Sequence, residues 1–386
     1  MKRKILVISE SYPNAQMPVS GIFIEDQAQT LAEQFEVTVL AVIPIGLRSL
    51  SRLHHRVCIE RHKNLTVFRV YVPTVMRVAR LRFLSSVYVA WLWLRQCLRD
   101  YGRPDIIHAH VVLPCGWIAA QASRKWDIPA ILTEHTGPFT VHLYSSFHRK
   151  LVREALGKLS VLAVSPALQQ RIYEFIPSVN VKVLGNVIKT RFFTPGETTF
   201  GRTLSKKRFL TISLLGYSKG VEYLLYATSL LRQRSNQPFE LVIGGDGEDR
   251  RRLEQLARQL QLTDICRFTG LLDRQQVRDW MRWCDVFVLP SLHETFGVVL
   301  GEAMACGKPV IATRCGGPEF VVENGCGLLV PIADSQALAD AMERFLSNQE
   351  RYDPVFIRES VCRRFGEEVF LQNIERIYNT VWSTTR

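Results

Sequence analysis

The sequence predicts an α/β protein made of two facing Rossmann-like domains with a cleft between them. Strand-like, β-branched runs alternate with helical patterns over 5–184, and the same alternation starts again at 208. Because such alternation builds parallel βαβ units, each half of the chain predicts a parallel sheet. A length of 386 residues suits two hydrophobic cores, and the pattern pauses over 185–205. We therefore predict one domain over 1–195 and a second over 196–386, which includes the terminal helices.

The predicted elements follow from hydrophobic periodicity. In the first domain, strands are predicted at 5–9, 37–43, 67–70, 106–109, 130–133, 161–164 and 181–184, and helices at 22–34, 116–126 and 166–175. In the second, strands are predicted at 208–213, 240–243, 266–268, 286–289, 310–312 and 327–330, and helices at 221–231, 249–260, 274–283, 298–305 and within 353–378. Ligands of open α/β sheets bind at the carboxyl ends of strands, so functional residues are expected in the loops that follow them.

Composition narrows the class of protein. The apolar run at 5–8 stops at Ser9-Glu10, which is typical of a first strand and not of a signal peptide. Nine cysteines without a C-x-x-C pair favour a reducing compartment. We therefore expect a cytoplasmic protein. The net charge of +13 has no nucleic-acid-binding motif beside it, so no nucleic-acid partner is expected.

The positive charge is concentrated between Pro44 and Pro104, where twelve Arg or Lys residues and two acidic residues give a net charge of +10. This stretch includes the apolar run 83–94, which is too short to span a bilayer and has its large apolar residues at helical spacing. Two interpretations remain open. The helix lies on an anionic membrane surface, or it is a core helix whose exposed face is basic.

The pattern that indicates chemistry lies at 285–313. A buried strand at 286–289 ends at Pro290-Ser291, Glu294 follows in a short loop, and a helix begins near Gly297 with Thr295 as a plausible N-cap. Glu302 lies in the second turn of this helix. A helix N-terminus beside a glycine favours phosphate, and carboxylates accept hydrogen bonds from hydroxyls. A phosphate next to hydroxyl-binding acids describes a nucleotide sugar.

This block resembles the retaining glycosyltransferases of family 4, which have the GT-B fold. Glu294 and Glu302 match the E-x7-E motif of that family. Flanking stretches match as well: 244–250, 268–272 and 315–319 in the second domain, and 20–27, 133–135 and 186–192 in the first. The resemblance covers nearly the whole chain and is tightest from Gly244 to Pro331. It implies a retaining hexosyltransferase of the kind that builds bacterial surface polysaccharides.

The resemblance implies roles for residues of the second domain. Glu294 would hydrogen-bond the donor sugar, and Glu302 would bind the ribose hydroxyls. Lys219 would neutralise the diphosphate. Backbone N–H groups at the start of the helix would also hold the diphosphate, and they belong to Phe296, Gly297, Val298 and Val299. Gly270 and Leu271, in a matching block, are expected at the donor site.

Two residues of the first domain are implied as well. Gly21 would let the backbone approach the phosphates, because glycine has no side chain in the way. His135 would lie in the cleft beside the reacting sugar, just past the carboxyl end of a strand. Its catalytic role is weighed against that of an ordinary hydrogen-bonded histidine.

One departure from the family concerns the diphosphate. The family usually has Gly-Arg five residues before its Lys-Gly, and this Arg binds the diphosphate. Here Ser213 and Leu214 occupy those positions. Neutralisation is therefore expected to rest more on Lys219 and the helix N-terminus. Glu319 is left open between a ligand contact and the start of the next helix.

No metal site and no cofactor are expected. His108 and His110 could share one face of a strand, as a pair of metal ligands would. However, no carboxylate or cysteine supplies a clear third ligand, and no Asp-x-Asp motif is present to hold a divalent ion on a diphosphate. Hydrogen-bonded histidines at the end of the strand are therefore favoured.

The sequence thus predicts a metal-independent glycosyltransferase that moves a hexose from a UDP- or GDP-sugar to a glycan or lipid-linked acceptor. Two alternatives remain. A nucleotide-sugar epimerase would share the architecture, and a non-catalytic sugar-nucleotide-binding protein would be favoured by the missing Arg. The last expectation is peripheral contact with the anionic inner face of the membrane.

Overall fold

The computed structural model describes residues 2–46, 57–73, 79–200 and 206–383, without the side chains of 79–82. Contacts divide the chain into two compact units. Unit 1 comprises Met1–Val187 and Phe370–Arg386, and unit 2 comprises Ile188–Val369. Among the described residues, no helix combines the length and apolar character that crossing a membrane requires.

The described part of unit 1 holds an eight-stranded sheet in the order β3-β4-β2-β1-β5-β6-β7-β8. Its strands are β1 Lys4–Ser9, β2 Glu36–Ile45, β3 Val57–His62, β4 Leu65–Pro73, β5 Ile106–His110, β6 Ala130–Glu134, β7 Ser160–Ala163 and β8 Val181–Val183. Only the β3–β4 pairing in this sheet is antiparallel. The sequence prediction lacked β3, which is largely exposed and therefore has little hydrophobic periodicity.

Helices cover the sheet of unit 1, and their apolar faces supply the core. They are α1 Ile22–Gln34, α2 Ala79–Tyr101, α3 Trp117–Trp126, α4 Ser146–Leu156 and α5 Pro166–Phe175. The bounds of α1 and α5 are those predicted. Helix α4 was not predicted, although Ser145 caps it by accepting a hydrogen bond from the His148 N–H.

The described part of unit 2 holds a six-stranded, fully parallel sheet in the order β11-β10-β9-β12-β13-β14. Its strands are β9 Lys207–Ile212, β10 Phe239–Gly244, β11 Cys266–Gly270, β12 Val286–Leu289, β13 Val310–Thr313 and β14 Gly327–Val330. Its helices are α6 Val221–Arg234, α7 Arg250–Gln259, α8 Arg274–Trp283, α9 Val298–Ala305, α10 Pro318–Val321, α11 Ser335–Leu346 and α12 Pro354–Phe365. The predicted pair of Rossmann-like α/β domains is confirmed.

The strand order of unit 2 fixes where its ligand site must lie. The chain runs outward from β9 through β10 to β11, then returns to the other side of β9 and continues through β12 to β14. The order therefore reverses between β9 and β12. In doubly wound sheets, the loops at this reversal separate and leave a crevice at the carboxyl ends of the strands.

The division of the chain differs from the predicted boundary after 195. The segment 190–194 belongs to unit 2, where Arg358 donates hydrogen bonds to the Thr190 and Phe193 carbonyl oxygens at 3.0 and 2.9 Å. The last helix, α13 Glu367–Ser383, begins in unit 2, but its apolar residues pack into the core of unit 1. These residues are Phe370, Leu371, Ile374 and Tyr378. Long-range packing, which no local pattern shows, decides both assignments.

We predict that Glu367→Ala lowers the free energy of unfolding of unit 2 by about 2–4 kcal/mol. The buried Glu367 carboxylate accepts hydrogen bonds from Thr190 N–H and Oγ1 at 3.0 and 2.7 Å, so its removal leaves buried donors without acceptors. Urea unfolding followed by circular dichroism measures the change. Glu368→Ala is the control, because that side chain is 81% exposed. Equal stabilities of the two variants would contradict the prediction.

Candidate donor site

Lys219 and Glu294 meet at the point where the strand order of unit 2 reverses. Lys219 ends a short turn after β9, and Glu294 lies in the loop after β12. The Lys219 Nζ donates to Glu294 Oε1 at 2.6 Å, and the Ser291 hydroxyl donates to the same oxygen at 3.1 Å. Sequence analysis named the two charged residues for separate roles, and the structure joins them in one partly buried ion pair.

Close backbone packing holds these two loops together. Gly220 has φ 61°, and a Cβ there would lie 2.1 Å from the Pro290 carbonyl oxygen. The next contact is a hydrogen bond from the Leu292 N–H to the Ser218 carbonyl oxygen at 2.8 Å. Glycine is therefore required after Lys219 both for its left-handed backbone and for this approach. The geometry of the ion pair is set by the backbone as well as by charge.

A third loop supports Glu294 from the other side. The Gly317 N–H, in the loop after β13, donates to the Glu294 carbonyl oxygen at 2.8 Å. A Cβ on Gly317 would lie 2.3 Å from the Phe296 nitrogen, so no larger residue fits without moving the loop. The Glu319 carboxylate accepts a hydrogen bond from the Gly316 N–H at 2.9 Å. In this structure Glu319 stabilises the loop, so its structural role is the one observed.

The start of α9 presents backbone N–H groups at the same edge. The helix runs over the predicted Val298–Ala305, and Gly297, with φ 88°, occupies its N-cap without a side-chain hydrogen bond. The expectation that Thr295 caps the helix is wrong, because Thr295 lies two residues before the cap. The first N–H groups of a helix have no intrahelical acceptor, so those of Val298 and Val299 suit an anion. Phe296 is buried and packs against Phe365.

Glu302 lies deeper, and Arg274 pairs with it. The Glu302 side chain is 4% exposed, and the Arg274 guanidinium donates to its Oε1 at 2.6 Å. The guanidinium also lies over the Phe193 ring, 4.9 Å from its centroid. Sequence analysis missed Arg274. Its position at the start of α8, four residues after β11 ends at the carboxyl edge of the sheet, was the signal that could have identified it.

The remaining donor-site candidates lie further along this edge. Gly270 ends β11, and its carbonyl oxygen accepts from the Gly245 N–H at 2.8 Å. Leu271 follows and is 48% exposed. Both are two strands from the Lys219 turn, because β10 lies between β11 and β9. The structure places them at the periphery of the crevice and not beside the ion pair.

Leu214, where the family has its diphosphate-binding Arg, is 52% exposed on the loop after β9. The loop itself keeps a fixed conformation, because the Leu215 N–H donates to the Asp246 carbonyl oxygen at 2.9 Å. A Cβ on Gly245 would lie 1.9 Å from the Ser213 carbonyl oxygen, so this glycine turn packs directly against the loop. The glycines at 245 and 247 thus shape the loop, as expected for a tight turn.

In unit 1, the backbone conformation and the packing at position 21 both require glycine. It is the N-cap of α1 with φ 68°, and a Cβ there would lie 2.4 Å from the Ser11 carbonyl oxygen. The loop after β1 and the start of α1 therefore touch through this residue. The expected approach to phosphates stays a prediction.

His135 is buried at the carboxyl end of β6. Its Nε2 shares a hydrogen bond of 2.9 Å with His110 Nδ1, and Phe23 packs on the ring at 4.7 Å. Burial lowers the pKa of His135 to about 4, against smaller raising effects from Glu134 and a hydrogen bond with Asn186. His135 is therefore neutral at physiological pH.

The row of buried histidines is hydrogen-bonded within unit 1. His108 bonds to Thr133 Oγ1 at 2.7 Å through Nε2 and to the Tyr378 hydroxyl at 2.8 Å through Nδ1. Because both ring nitrogens are engaged, His108 is not available as a metal ligand. Burial lowers its pKa to about 3. The alternative of a His108–His110 metal pair is therefore disfavoured by the geometry.

Glu134, which sequence analysis did not single out, organises the turn beside His135. Its carboxylate accepts from the Val112 and Thr136 N–H groups, each at 2.7 Å. Burial would raise the pKa of Glu134, but His142 and the Thr136 hydrogen bonds outweigh it and hold the pKa at about 2. The Val112 N–H that it binds follows Val111, whose φ of 71° is a strained conformation for a β-branched residue.

Both halves of the chain match known glycosyltransferase families. Residues 20–192 match Glycosyltransferase Family 4, and residues 199–355 match Glycosyl transferases group 1. The teichuronic acid biosynthesis glycosyltransferase TuaC of Bacillus subtilis is 29% identical, over 99% of this chain and all of TuaC. The N-acetyl-alpha-D-glucosaminyl L-malate synthase of Bacillus anthracis is 30% identical, over 72% of this chain and 75% of that protein.

Solved structures agree with this at the level of the fold. The sucrose-phosphate synthase of Thermosynechococcus elongatus matches with a TM-score of 0.80 and 21% identity, over 99% of this chain and all of that one. Anabaena HepE in complex with UDP-glucose matches with a TM-score of 0.71 and 21% identity, over 98% and 99% of the two chains. The chain therefore belongs to the group 1, family 4 glycosyltransferases of the GT-B fold.

Proposed function

We propose that this glycosyltransferase moves a hexose from a nucleoside diphosphate sugar to a glycan or lipid-linked acceptor, with retention of configuration and without a metal ion. The observation that carries the proposal is the Lys219–Glu294 ion pair at the strand reversal of unit 2, beside the N-terminus of α9. A cation and open N–H groups suit a diphosphate, and a carboxylate suits sugar hydroxyls. UDP is the favoured nucleotide, because the similar HepE binds UDP-glucose.

Donor binding would rearrange the ion pair. Lys219 now neutralises Glu294 at 2.6 Å. A diphosphate at the start of α9 would compete for the ammonium group, and a sugar hydroxyl would replace it as a hydrogen-bond donor to Glu294. The two charges would then each keep a partner. Glu302, held by Arg274, would accept from the ribose hydroxyls.

The transfer step forms a bond between the acceptor oxygen and the anomeric carbon as the bond from that carbon to the diphosphate breaks. We propose that the acceptor attacks on the face from which the diphosphate leaves, so configuration is retained. The leaving phosphate would take the acceptor's proton. Lys219 and the helix N-terminus would stabilise the negative charge that develops on the diphosphate. His135, neutral and buried, would act only through hydrogen bonding or packing.

The two alternatives differ in what they release. An epimerase consumes no acceptor and frees no nucleotide, whereas a transferase frees the nucleoside diphosphate only when an acceptor is present. A non-catalytic binder frees none under either condition. Measuring nucleotide release for a panel of UDP- and GDP-sugars, with and without acceptor, separates the transferase from the two alternatives and identifies the donor. Conversion of a sugar nucleotide to its epimer, followed by NMR, separates the epimerase from the binder.

We also propose that unit 1 contacts an anionic membrane surface. Residues 47–56 and 74–78 of the basic stretch lie outside the described residues, but α2 is described from Phe83 onward. Tyr88 and Leu92 on this helix are 66% and 45% exposed. Arg95 and Arg99 follow on the same exposed face. An apolar stripe that continues into arginines suits the boundary between lipid tails and anionic headgroups.

A groove of about 540 Å³ extends this surface at the amino edge of the unit 1 sheet. Its apolar lining includes Leu92, Leu98, Trp126 and Ile128, and its basic lining is Arg95, Arg99 and Arg103. Trp91 stacks on Trp126 at 4.9 Å, and Lys125 lies over both rings. The groove thus combines apolar area with several positive charges, as an anionic headgroup and its first methylenes require.

We predict that Glu302→Ala chiefly raises the KM for the donor, whereas Glu294→Ala chiefly lowers kcat. Ribose contacts are equal in the ground and transition states, whereas sugar contacts also orient the reacting carbon. Steady-state kinetics with the preferred donor measures both constants. Glu359→Ala, an exposed acid on α12, is the control. Unchanged kinetics in both test variants would rule out this donor site.

We predict that EDTA leaves activity unchanged, because no group of three metal-ligating side chains occurs among the described residues and the diphosphate would be neutralised by Lys219. Initial rates with and without EDTA, followed by Mg²⁺ or Mn²⁺ addition, measure this. Loss of activity that a divalent ion restores would show that a metal ion binds the diphosphate.

We predict that the protein sediments with anionic liposomes at low salt and is released at high salt. Each basic residue near such a surface contributes about 1 kcal/mol, and screening weakens it. The double variant Arg95→Ala/Arg99→Ala should bind at least tenfold more weakly. Arg251→Ala/Arg258→Ala, which removes exposed charge from α7, should bind like the wild type. If the wild type stays in the supernatant at low salt, a small soluble acceptor becomes the better proposal.

A further inference from the structure

His110 and His135 share a hydrogen bond in the interior of unit 1. The bond joins His110 Nδ1 to His135 Nε2 at 2.9 Å, and both residues are buried. Burial lowers the pKa of His110 well below its usual range and that of His135 to about 4, so both rings are neutral at physiological pH. A neutral imidazole has one N–H and one lone pair, so one ring donates and the other accepts. The direction of this bond decides which nitrogen of His135 carries the proton.

The surroundings of His110 favour this ring as the donor. His108 stacks on it at 4.5 Å between ring centroids, but both His108 nitrogens are already bonded to Thr133 and Tyr378. In the described part of the chain, no hydrogen-bond partner reaches His110 Nε2. A proton there would be a buried donor without an acceptor, which proteins avoid more strictly than an acceptor without a donor. A proton on His110 Nδ1, in contrast, has His135 Nε2 as its acceptor.

The other neighbours of His135 favour the same direction. The Asn186 side-chain oxygen is oriented as an acceptor, because the Gln27 amide group donates to it at 3.0 Å. Burial lowers the pKa of His135, and the charge of Glu134 and a hydrogen bond with Asn186 oppose this effect. An acceptor acts in this direction, because it favours the protonated ring. Asn186 therefore matches a proton on Nδ1, the nitrogen of His135 that is not bonded to His110.

We propose that His110 is a positioning residue that donates its Nδ1–H to His135 Nε2, so that His135 carries its single proton on Nδ1. A free neutral histidine side chain prefers the proton on Nε2, so the protein selects the less common tautomer. In this tautomer the ring offers an N–H donor and no free lone pair. This role rests on the proposed transferase function, in which His135 is a residue of the reaction site, and it defines what the imidazole can do there.

The direction of the bond has a chemical consequence for the proposed transfer. The acceptor hydroxyl loses a proton as its oxygen bonds to the anomeric carbon. His135 cannot take this proton, because its lone pair already accepts from His110. The proton therefore goes to the leaving phosphate, as proposed above. His135 contributes to the reaction only as a donor that orients a substrate oxygen.

NMR of the protein labelled with nitrogen-15 histidine tests the tautomers directly. Protonated and unprotonated imidazole nitrogens resonate far apart in nitrogen-15 spectra, and each ring is assigned by its own substitution. We expect Nδ1 protonated and Nε2 unprotonated in both His110 and His135, with a scalar coupling across the bond between them. His62→Asn, which replaces an exposed histidine of β3, is the control and should leave both rings unchanged.

Two variants of equal size keep or reverse the donor at position 110. His110→Asn places an amide N–H near the position of Nδ1, so His135 should keep its tautomer and kcat should fall by less than about threefold. His110→Asp places a carboxylate there, which only accepts when ionised, so His135 should be protonated on Nε2 and kcat should fall by about tenfold or more. The KM for the sugar nucleotide should change less than kcat. Circular dichroism melting checks that each variant folds.

The outcomes separate this inference from the proposed function. The inference is overturned if wild-type His135 is protonated on Nε2, a result that needs no variant to fold, or if the Asn and Asp variants give the same His135 tautomer. Wild-type kcat in both variants would also overturn it, because His110 would then have no positioning role. If the tautomers are as expected but no sugar nucleotide is turned over with any acceptor, the histidine pair stands and the transferase proposal fails.

Discussion

The close approach of the turn after β9 to the loop after β12 is the constraint on which the candidate donor site of unit 2 depends. Gly220 permits it, since any side chain there would overlap the Pro290 carbonyl oxygen. Lys219 and Glu294 are brought together by this backbone contact and then bonded by charge. The backbone thus fixes the position of this ion pair, in which each charge has a partner.

In unit 1, buried neutral side chains and their hydrogen bonds, rather than an ion pair, organise the residues at the carboxyl edge of the sheet. Its buried histidines are kept neutral by burial and linked to one another, to Thr133 and to Tyr378. Beside them, the charge of Glu134 is satisfied by backbone N–H groups. His135 is thus held in a fixed, uncharged environment. Such an environment favours orientation over proton transfer.

The two edges of the unit 1 sheet differ in chemistry, and α2 runs between them. At the carboxyl edge, the helix borders a small pocket with a carboxylate, two imidazoles and an aromatic face. Toward the amino edge, it borders a groove with three arginines. The exposed apolar residues of α2 join these regions.

The sequence by itself determined the alternation of strands and helices and the family, and it named most of the residues that are proposed for the donor site. Local periodicity and capping were sufficient for this, and the bounds of α8, α9 and β12 agree with those predicted. Only the tertiary structure showed that Lys219 bonds to Glu294, that Arg274 pairs with Glu302, and that α13 packs into unit 1. These contacts join residues that are far apart in the sequence. Arg274 and Glu302 are 28 positions apart, and His108 and Tyr378, a residue of α13, are 270 positions apart. No local sequence pattern encodes contacts over such separations, because they depend on the strand order and on the packing of apolar helix faces against distant parts of the chain.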